Sequence, residues 1–515
     1  MDPSLPPLIR ALLDPGIYPG PVARVELLQT HGAWVLLAGE SAYKIKKPVH
    51  WSFMDFSTLA LRRAACEAEL RVNRRFADDR PEQQLYREVL PIVGSADKPR
   101  WGRPGPDDGQ ALEFAVHMRR FDETGRLDHV CQRGDLQARH LVQLAQRMAA
   151  FQATAAVAPD DRPWGKPETV HAVAHDNLDT LRHLLTDAQD LAWLEDIDAW
   201  GAARWPQLSR RLAGRRRDGR VREGHGDLHL ANLVLIGDEV VPFDAIEFND
   251  ALRWVDVASD LAFTWMDLQR MAQPGLAHVL LSEWIDASGD VSAPDVLPYF
   301  AVYLSVVRAK VAAIRRGQIG ADETQARSAC DAEVRQYLTL AQRQARPEAP
   351  QLLITHGLSG CGKSHAALQW LRQYSGSRAL RLRSDVERKR LHGLGPLQTS
   401  DPAQRAIFYG PQTGARTYAA LRERAAHLLR EGWTVLVDAA FLRRHERDAF
   451  AELARAQGCP FGVLAPQAPI EVLRQRIAAR QWAGNDPSEA TPEVLEQQLQ
   501  WIEPLDRDEP CLPLQ

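Results

Sequence analysis

Residues 351–371 read QLLITHGLSGCGKSHAALQWL and predict a buried strand, a glycine-rich loop and a helix, in that order. The loop runs from Gly357 to Ser364 and matches the pattern G-x-x-x-x-G-K-[ST] in full. Glycines are needed there because the backbone must adopt positive φ and come close to an anion. The N–H groups at the start of the following helix attract the same anion. The stretch therefore predicts a P-loop domain of the α/β class.

The P-loop pattern assigns a role to each polar group of this stretch. Lys363 would reach the β- and γ-phosphates of ATP, and the Ser364 hydroxyl would ligate Mg²⁺. The candidate nucleotide-binding residues are Gly357, Ser359, Gly360, Cys361, Gly362, Lys363, Ser364 and His365. The sequence thus predicts ATP and Mg²⁺ as ligands of the last third of the chain.

Two later strand ends carry carboxylates. The strand RALRLR is followed by Asp385, which can accept the proton of an acceptor hydroxyl if the two groups come within hydrogen-bond reach. The alternative is that Asp385 caps the helix VERKRL. The strand of TVLVDAAF ends at Asp438, which is suited to holding the water shell of Mg²⁺. The alternative there is a plain turn.

Arg476 and Arg480 lie four residues apart in LRQRIAAR and therefore on one helical face. They could close over ATP and neutralise charge in the transition state, and a solvated basic face is the alternative.

Residues of about 350–510 resemble the small P-loop kinases, which include gluconate, shikimate and adenylate kinases, polynucleotide 5′-kinases and zeta toxins. The spacing of Asp385 and Arg388 is especially similar to polynucleotide kinases, in which the arginine grips the phosphate next to the acceptor 5′-hydroxyl. The resemblance implies that role for Arg388. A basic cluster around it favours a phosphorylated or nucleotide-like acceptor, but it is also typical of a solvated helix face. Its members are Arg378, Arg381, Arg383, Arg388, Lys389 and Arg390.

A second motif, HGDLHLAN, occupies residues 225–232. Asp227 would accept the hydrogen bond of an incoming hydroxyl, and Asn232, five residues later, would ligate Mg²⁺. Asp244 follows a short predicted hairpin and would be the second Mg²⁺ ligand. Two histidines in the motif, His225 and His229, could instead bind a metal, but no third ligand cluster accompanies them.

Upstream, a strand lysine should hold the α- and β-phosphates and pair with a helix glutamate. The strand AYKIKK offers Lys46, which we favour, and Lys44, which lies on the same side by strand alternation. Glu69 in the next predicted helix is the preferred partner and Glu67 the alternative. Exposed surface charge is the competing interpretation for all four.

The string H-G-D-x-H-x-x-N resembles the aminoglycoside phosphotransferase and choline kinase group, whose fold is protein-kinase-like and bilobal. The resemblance implies that EFAVHMRRF is the hinge that contacts adenine through backbone groups around His117 and Met118. It also implies structural roles for Asp256 and Asp260 beside the catalytic loop. No G-x-G-x-x-G loop precedes the lysine strand, and only HGAW occupies that hairpin.

The whole chain resembles a bacterial group of fused aminoglycoside phosphotransferase and P-loop (AAA-type) ATP-binding proteins. The segments AYKIKKPV, WSFMDFSTLALRRAACEAEL, SDVERKRL and VDAAFLRRHERDAF carry this likeness. We therefore expect two domains of the α+β and α/β classes. A protein-kinase-like domain would cover residues 1–345 and a P-loop kinase domain residues 351–515, with ARPEAP (345–350) as the linker.

Composition agrees with this organisation. The 515 residues exceed what one core usually supports, and the 45% hydrophobic and 25% charged content is that of a globular protein. A net charge of −4 predicts no whole-molecule attraction to nucleic acid or anionic membrane. Six scattered cysteines without a C-x-x-C pair, no secretory signal and no long apolar run predict a cytoplasmic protein.

The sequence predicts an ATP-dependent phosphotransferase with an alcohol acceptor and two kinase sites. A second hypothesis makes the P-loop domain the sole catalyst and the first domain a nucleotide-sensing or substrate-binding module. A third, a non-enzymatic switch, is disfavoured because a mere binder needs no acceptor-facing carboxylate. Acceptor candidates are a small metabolite, an amino sugar, a nucleoside or sugar derivative, and a 5′-hydroxyl nucleic acid, which the sequence supports only weakly.

Overall fold

The computed structural model describes residues 5–51, 54–77, 80–398, 400, 408, 410–483 and 487–513. Within the quoted segment WSFMDF, Ser52 and Phe53 lie outside these residues. Contacts divide the chain into two compact units. The first unit comprises residues 1–136, 151–170 and 212–264, and the second comprises residues 137–150, 171–211 and 265–515. The P-loop domain thus shares a unit with helices from the first two-thirds of the chain.

The strands of the first unit form one large antiparallel sheet and three small ones. The large sheet has the order β1-β2-β3-β8-β6-β7, while β4-β5, β9-β12 and β10-β11 pair separately. The strands are β1 Val25–Gln29, β2 Ala33–Ala38, β3 Ser41–Lys46, β4 His50–Trp51, β5 Met54–Asp55, β6 Tyr86–Ser95, β7 Lys98–Trp101, β8 Glu113–Arg119, β9 Val221–Glu223, β10 Leu233–Ile236, β11 Glu239–Pro242 and β12 Trp254–Asp256.

The second unit contains a parallel sheet of order β14-β15-β13-β16. Its strands are β13 Leu352–Thr355, β14 Ala379–Arg383, β15 Thr434–Asp438 and β16 Phe461–Leu464. Every residue of β13 and of β15 is buried, as expected for parallel strands covered on both faces. This sheet confirms the α/β class predicted for the last third.

The helices follow in chain order. They are α1 Pro7–Ala11, α2 Leu59–Arg74, α3 Leu127–Gln132, α4 Ala138–Thr154, α5 Pro167–Leu184, α6 Ala188–Arg217, α7 Asp250–Arg253, α8 Val257–Arg270, α9 Pro274–Ser288, α10 Leu297–Gln318, α11 Thr324–Ala345, α12 Lys363–Gln373, α13 Ser384–Leu391, α14 Pro411–Arg430, α15 Arg444–Ala456, α16 Ile470–Ala483 and α17 Pro492–Trp501. Short 3₁₀ turns lie at Pro15–Ile17, Pro81–Gln83, Asp108–Gln110, Glu123–Gly125, Leu230–Asn232 and Ala293–Asp295.

Helix α2 follows the antiparallel sheet's third strand along the chain and packs on β8 and β6. Thr58 caps it by accepting a hydrogen bond from the backbone N–H of Leu61, which satisfies one orphan donor. The first unit has a protein-kinase-like amino-terminal sheet. It consists of five antiparallel strands of order β1-β2-β3-β8-β6, with the lysines on β3 and a helix, α2, later in the chain. The lysine strand predicted at AYKIKK is confirmed as β3.

Helix α9 packs directly on the P-loop sheet and on α12. A Cβ added at Gly275 would lie 1.9 Å from the carbonyl oxygen of Arg372, so the two helices touch through backbone. At the edge of the sheet, the N–H of Arg381 donates to the hydroxyl of Ser282 at 3.1 Å. This contact satisfies a donor that an edge strand otherwise leaves open. Helix α9 is therefore an integral part of the P-loop layer.

Helix α10 is long and apolar enough to cross a membrane by length and composition alone. In the structure, 67% of its apolar window is buried inside the protein. It packs along α11, which is the environment of a core helix.

Candidate functional site

Three parallel strands each lead into one part of the candidate site. These parts are the P-loop, the carboxylate predicted to face the acceptor and the carboxylate predicted to hold the water shell of Mg²⁺. Gly357 comes soon after β13, Asp385 lies just after β14, and Asp438 is the last residue of β15. Because the carboxyl ends of parallel strands share one edge of the sheet, these groups converge. P-loop residues 359–364, Asp385 and Asp438 line one cavity of about 770 Å³.

The glycine loop has the backbone that its pattern predicts. Gly357, Gly360 and Gly362 have φ of 143°, 83° and 101°, values that a side chain would strain. Gly360 also packs so closely on α16 that an added Cβ would lie 3.0 Å from the carbonyl oxygen of Leu473. Helix α12 begins at Lys363, directly after Gly362. The loop is therefore shaped to present backbone N–H groups and a helix N-terminus to an anion.

Lys363 is folded onto its own loop. Its Nζ donates to the carbonyl oxygens of Gly357 at 2.9 Å and Leu358 at 2.8 Å. A third loop residue, Ser359, uses its N–H to donate to Gln498 at 2.8 Å. The lysine and this N–H are thus held inside the cavity by contacts that an incoming phosphate could replace.

Both predicted arginines of α16 line the cavity. Arg476 donates to the carbonyl oxygen of Gly360 at 3.2 Å. The Nε and Nη2 atoms of Arg480 are buried and receive no hydrogen-bond partner among the described residues. Burying an unpaired cation is costly unless an anion compensates it. Arg480 therefore fits an anionic ligand in this cavity, which agrees with a nucleoside triphosphate.

Asp385 and Arg388 form a close pair at the cavity wall, with Arg388 Nη1 2.6 Å from Asp385 Oδ1. Helix α13 begins at Ser384 with Arg383 at its N-cap position, so Asp385 lies inside the first turn. Burial alone would raise the pKa of the Asp385 carboxyl, but Arg388 and Arg383 more than offset it, and the pKa lies below its ordinary value. The carboxylate is therefore ionised at neutral pH and able to accept a proton.

Asp438 is buried at the floor of the cavity, and its Oδ2 has no hydrogen-bond partner among the described residues. A buried carboxylate oxygen without a donor suits a hydrated cation. The described residues hold no group of three or more His, Cys, Asp and Glu side chains arranged for a metal ion. Mg²⁺ is held in proteins through one or two carboxylates together with phosphate oxygens. The loop, Ser364 and Asp438 thus fit Mg²⁺ and ATP.

The basic cluster of residues 378–390 divides into members that line the cavity and members that do not. Among the second kind, Lys389 is buried with its Nζ 3.0 Å from Glu489, and Arg390 contacts Glu387. Arg378 and Arg381 are buried in the protein interior, so the solvated-face interpretation does not hold for them. Arg378 donates to the carbonyl oxygen of Glu431 at 3.1 Å, which makes it a structural residue. Arg383 and Arg388 line the cavity. Two arginines of the cluster, rather than the whole cluster, therefore face a ligand.

In the first unit, the two candidate lysines of β3 both reach Glu69. Lys44 Nζ lies 2.8 Å from Glu69 and 2.5 Å from Asp244, while Lys46 Nζ lies 2.5 Å from Glu69 and also contacts Glu247. Glu67, the alternative partner, pairs instead with Arg63 on the surface. Glu69 is the carboxylate that the two lysines share.

The 225–232 motif forms a pinned catalytic-type loop. Asn232 Nδ2 donates to Asp227 Oδ2 at 3.1 Å and to its carbonyl oxygen at 3.0 Å, so the amide oxygen is the atom suited to a metal ion. Asp260 accepts the N–H groups of His225 at 2.7 Å and Gly226 at 2.8 Å. Asp227 keeps a third of its side chain exposed. The loop thus offers one accessible carboxylate.

His225 of the motif is structural. Burial lowers the pKa of His225 to about 4, so its ring is neutral at physiological pH. Its Nε2 contacts the carbonyl oxygen of Phe243 at 2.9 Å, and its Nδ1 accepts the N–H of Asp227 at 3.2 Å. Asp256 is equally structural, since it accepts two bonds from Arg215 at 2.7 and 2.8 Å.

The predicted hinge residues lie inside a strand. His117 and Met118 belong to β8, which continues to Arg119. Met118 pairs with Ala42 on one side and Tyr86 on the other. The chain leaves the sheet only after Arg119, so any hinge contact would use backbone groups at or beyond this point.

Sequence reasoning missed three groups beside these sites. Glu247 comes three residues after Asp244 and contacts Lys46, and Glu283 of α9 contacts Arg381. Gln498 occupies a loop N–H. The spacing D-x-x-E at 244–247 was a signal for Glu247. Neither Glu283 nor Gln498 stands in a motif.

Residues 352–505 match the family model described as "AAA domain". An uncharacterized protein of Mycobacterium tuberculosis (strain ATCC 25618 / H37Rv) is 29% identical over 477 residues, which cover 91% of this chain and 88% of the relative.

Two solved structures are similar in part. A choline/ethanolamine kinase family protein of Mesorhizobium loti has 12% identity and a TM-score of 0.36, covering 63% of this chain and 93% of its own. An unliganded sugar kinase of Janibacter sp. HTCC2649 has 18% identity and a TM-score of 0.23, covering 32% and 83%. The strand order of the first unit is that of a protein-kinase-like sheet, and residues 352–505, which carry the P-loop, are similar to AAA domains.

Proposed function

We propose that the P-loop site transfers the γ-phosphate of ATP to the hydroxyl group of an acceptor in the cytoplasm. One observation carries the proposal: Lys363, Asp385 and Asp438 line a single cavity of about 770 Å³. A nucleotide-binding loop alone would need no ionised carboxylate opposite it. Phosphoryl transfer needs one to orient the attacking hydroxyl.

Each residue then has a defined task. The glycine loop and Lys363 hold the β- and γ-phosphates, and Arg476 and Arg480 neutralise charge on the transferring group. Mg²⁺, held through Ser364 and the water shell of Asp438, supplies further charge neutralisation when bound. Asp385 accepts the hydrogen bond, and finally the proton, of the acceptor hydroxyl.

Arg388 narrows the acceptor class. It pairs with Asp385 and faces the cavity, so it can hold an anionic group next to the reacting hydroxyl. This favours a phosphorylated sugar, a nucleotide or a 5′-hydroxyl nucleic acid end over a neutral alcohol. The acceptor would approach from the side of β14.

The test is transfer of labelled phosphate from ATP to a panel of acceptors that includes 5′-hydroxyl RNA and DNA oligomers and phosphorylated and neutral metabolites. Asp385→Asn should lower transfer by about 10²–10⁴-fold, the range for losing a general base. Asp448→Asn is the matched control, because Asp448 is a half-exposed carboxylate of α15 paired with Arg444. Full transfer by the Asp385→Asn protein in an Asp227→Asn background would overturn the proposal.

We propose a second phosphotransfer site in the first unit, because Lys44 lies between Glu69 and Asp244, and Asp227 pairs with Asn232. Asp227 would orient the acceptor, and Asn232 and Asp244 would hold Mg²⁺. Asp227→Asn should abolish a transfer activity that survives Asp385→Asn. If Asp227→Asn leaves every activity unchanged while nucleotide binding persists, this unit is a nucleotide-sensing or substrate-binding module.

A further inference from the structure

Five charged side chains meet at the candidate site of the first unit. Two are the lysines of β3, and three are carboxylates from α2 and from the loop that carries Asp244. The members of this charged cluster are Lys44, Lys46, Glu69, Asp244 and Glu247. Three carboxylates against two lysines leave one negative charge in excess, which a bound divalent cation could offset.

The two lysines occupy different depths. The side chain of Lys46 is 2% exposed and lies between Glu69 and Glu247, which are buried as well. The side chain of Lys44 is 13% exposed, and its partner Asp244 is 44% exposed. Lys44 can therefore turn toward a phosphate while Lys46 still compensates the buried Glu69. A movement of Lys46 would instead leave the buried Glu247 without a cation.

We propose that Lys46 and Glu247 are a positioning pair that holds the loop of residues 243–249 in place, so that Asp244 faces Lys44. Lys44, rather than Lys46, is then the lysine that holds phosphate. This assignment rests on the proposed nucleotide site of the first unit.

The backbone of the loop supports the proposal. Asp244 has φ of 60°, a left-handed conformation that is uncommon outside glycine and that the contacts of the loop stabilise here. Three consecutive N–H groups are pinned from three different elements. Asp244 donates to Tyr86 Oη at 3.0 Å, Ala245 to Asn73 Oδ1 at 2.8 Å and Ile246 to the carbonyl oxygen of His225 at 3.0 Å. Glu247 follows directly and fastens the loop to β3 through Lys46.

Lys46 also compensates the charge of Glu69. When Lys44 turns toward a phosphate, Glu69 would lose one of its two cations in a buried environment. Lys46 remains 2.5 Å from Glu69 and keeps that carboxylate compensated. The Asp244 loop is consequently assembled before nucleotide arrives, and Lys44 is the part that moves.

Hydrogen exchange of the nucleotide-free full-length protein tests the loop directly. In Glu247→Gln and in Lys46→Met, the amides of residues 244–246 should exchange about tenfold faster than in the wild type. Lys46→Arg keeps the charge and should restore most of the protection. Glu113→Gln is the matched control, since it breaks another buried ion pair of this unit, with Arg62, and neither residue hydrogen-bonds to the loop among the described residues. Unchanged exchange in Glu247→Gln would overturn the positioning role.

Nucleotide binding separates the two lysines. Measured in a Lys363→Met background, Lys44→Met should weaken binding of an ATP analogue about tenfold with or without Mg²⁺. Glu247→Gln should leave metal-free binding unchanged and reduce the gain in affinity that Mg²⁺ confers. If Lys46→Arg weakens metal-free binding as strongly as Lys44→Met, Lys46 is the phosphate ligand and the assignment is wrong. If the first unit binds no nucleotide when its own residues are unchanged, its proposed function fails. The hydrogen-exchange measurement still decides whether Lys46 and Glu247 position the loop.

Discussion

Arg381 Nη1 lies 4.0 Å from Asp438 Oδ2, and both side chains are buried. The same guanidinium contacts Glu283 of α9 through Nη2. Arg381 therefore balances the charge of Asp438 without donating a hydrogen bond that would occupy its oxygen. Helix α9, which precedes the P-loop segment in the chain, thus holds the Arg381 guanidinium next to Asp438, the candidate residue for binding the water shell of Mg²⁺.

Replacing Arg381 with methionine should destabilise the protein by about 3–5 kcal/mol, because it leaves Glu283 and Asp438 buried without their cation. Chemical denaturation of the second unit measures this loss. Arg346→Met is the control, since Arg346 forms an exposed ion pair with Asp196 and should change stability by at most about 1 kcal/mol. Equal stability of the two variants would contradict the role of Arg381.

Arg480→Met should weaken nucleotide binding by about ten- to hundredfold, the effect of losing a charge-assisted hydrogen bond of about 1.5–3 kcal/mol. The unliganded protein should be as stable as the wild type or more stable, because the Nε and Nη2 atoms of Arg480 are buried without a partner. Calorimetric titration and thermal unfolding together check both halves of the prediction. Arg474→Met on the same helix, which removes an exposed pair with Glu496, should change neither quantity.

The parts of both sites that are contiguous in sequence could be predicted. The backbone conformation of Gly357–Ser364 and the spacing of Asp227 and Asn232 follow from local chemistry, so their motifs suffice. The stretch from 384 to 391 shows where local reasoning ends. Asp385 could equally have been an N-cap, and only the helix start at Ser384 excludes it.

Long-range packing decided what the sequence left open. Alternation places Lys44 and Lys46 on one side of β3 but cannot say which one Glu247 contacts from a loop 201 residues away. Arg381 belongs to a run of basic residues that is also typical of a solvated surface. Its burial depends on Glu283, 98 residues earlier. Arg381 meets Glu283 only when α9 docks on β14, and Lys46 meets Glu247 only when the loop of residues 243–249 reaches β3.

Gly275→Ala should destabilise the second unit by about 1–3 kcal/mol or more, the range for overpacking, because the new Cβ would overlap the backbone of Arg372. The strain would push α9 away from the P-loop helix α12, so nucleotide affinity should fall as well. Gly201→Ala in α6 is the matched control, since nothing lies within 4 Å of its added Cβ. That change should leave stability equal or slightly higher, because alanine favours a helix. Thermal unfolding of both variants measures the contrast.

Asp286 gives the second unit a pH-dependent stability. Its Oδ2 is buried without a hydrogen-bond partner among the described residues, and it faces charged groups from four elements. These are Glu283 on α9, Arg381 and Arg383 on β14, Asp438 on β15 and Arg424 on α14. Burial raises the pKa of Asp286 from 3.8 to about 7, although Arg383 and Arg381 oppose the shift.

Because the folded protein holds this proton more tightly than the unfolded chain, ionisation of Asp286 lowers the free energy of unfolding as pH rises from about 4 to about 7. The cost is absent below the unfolded pKa, grows between the two values and is complete above the folded one. Asp286→Asn removes the charge in nearly the same shape. Its stability advantage over the wild type should therefore widen by about 2–3 kcal/mol between pH 5 and pH 8.5, at about 1.4 kcal/mol for each pKa unit. Urea unfolding of both proteins at the two pH values measures the difference, in which contributions from other titrating groups cancel. An advantage that is constant with pH, or larger at pH 5, would show that Asp286 is ionised throughout and compensated by Arg383 and Arg381.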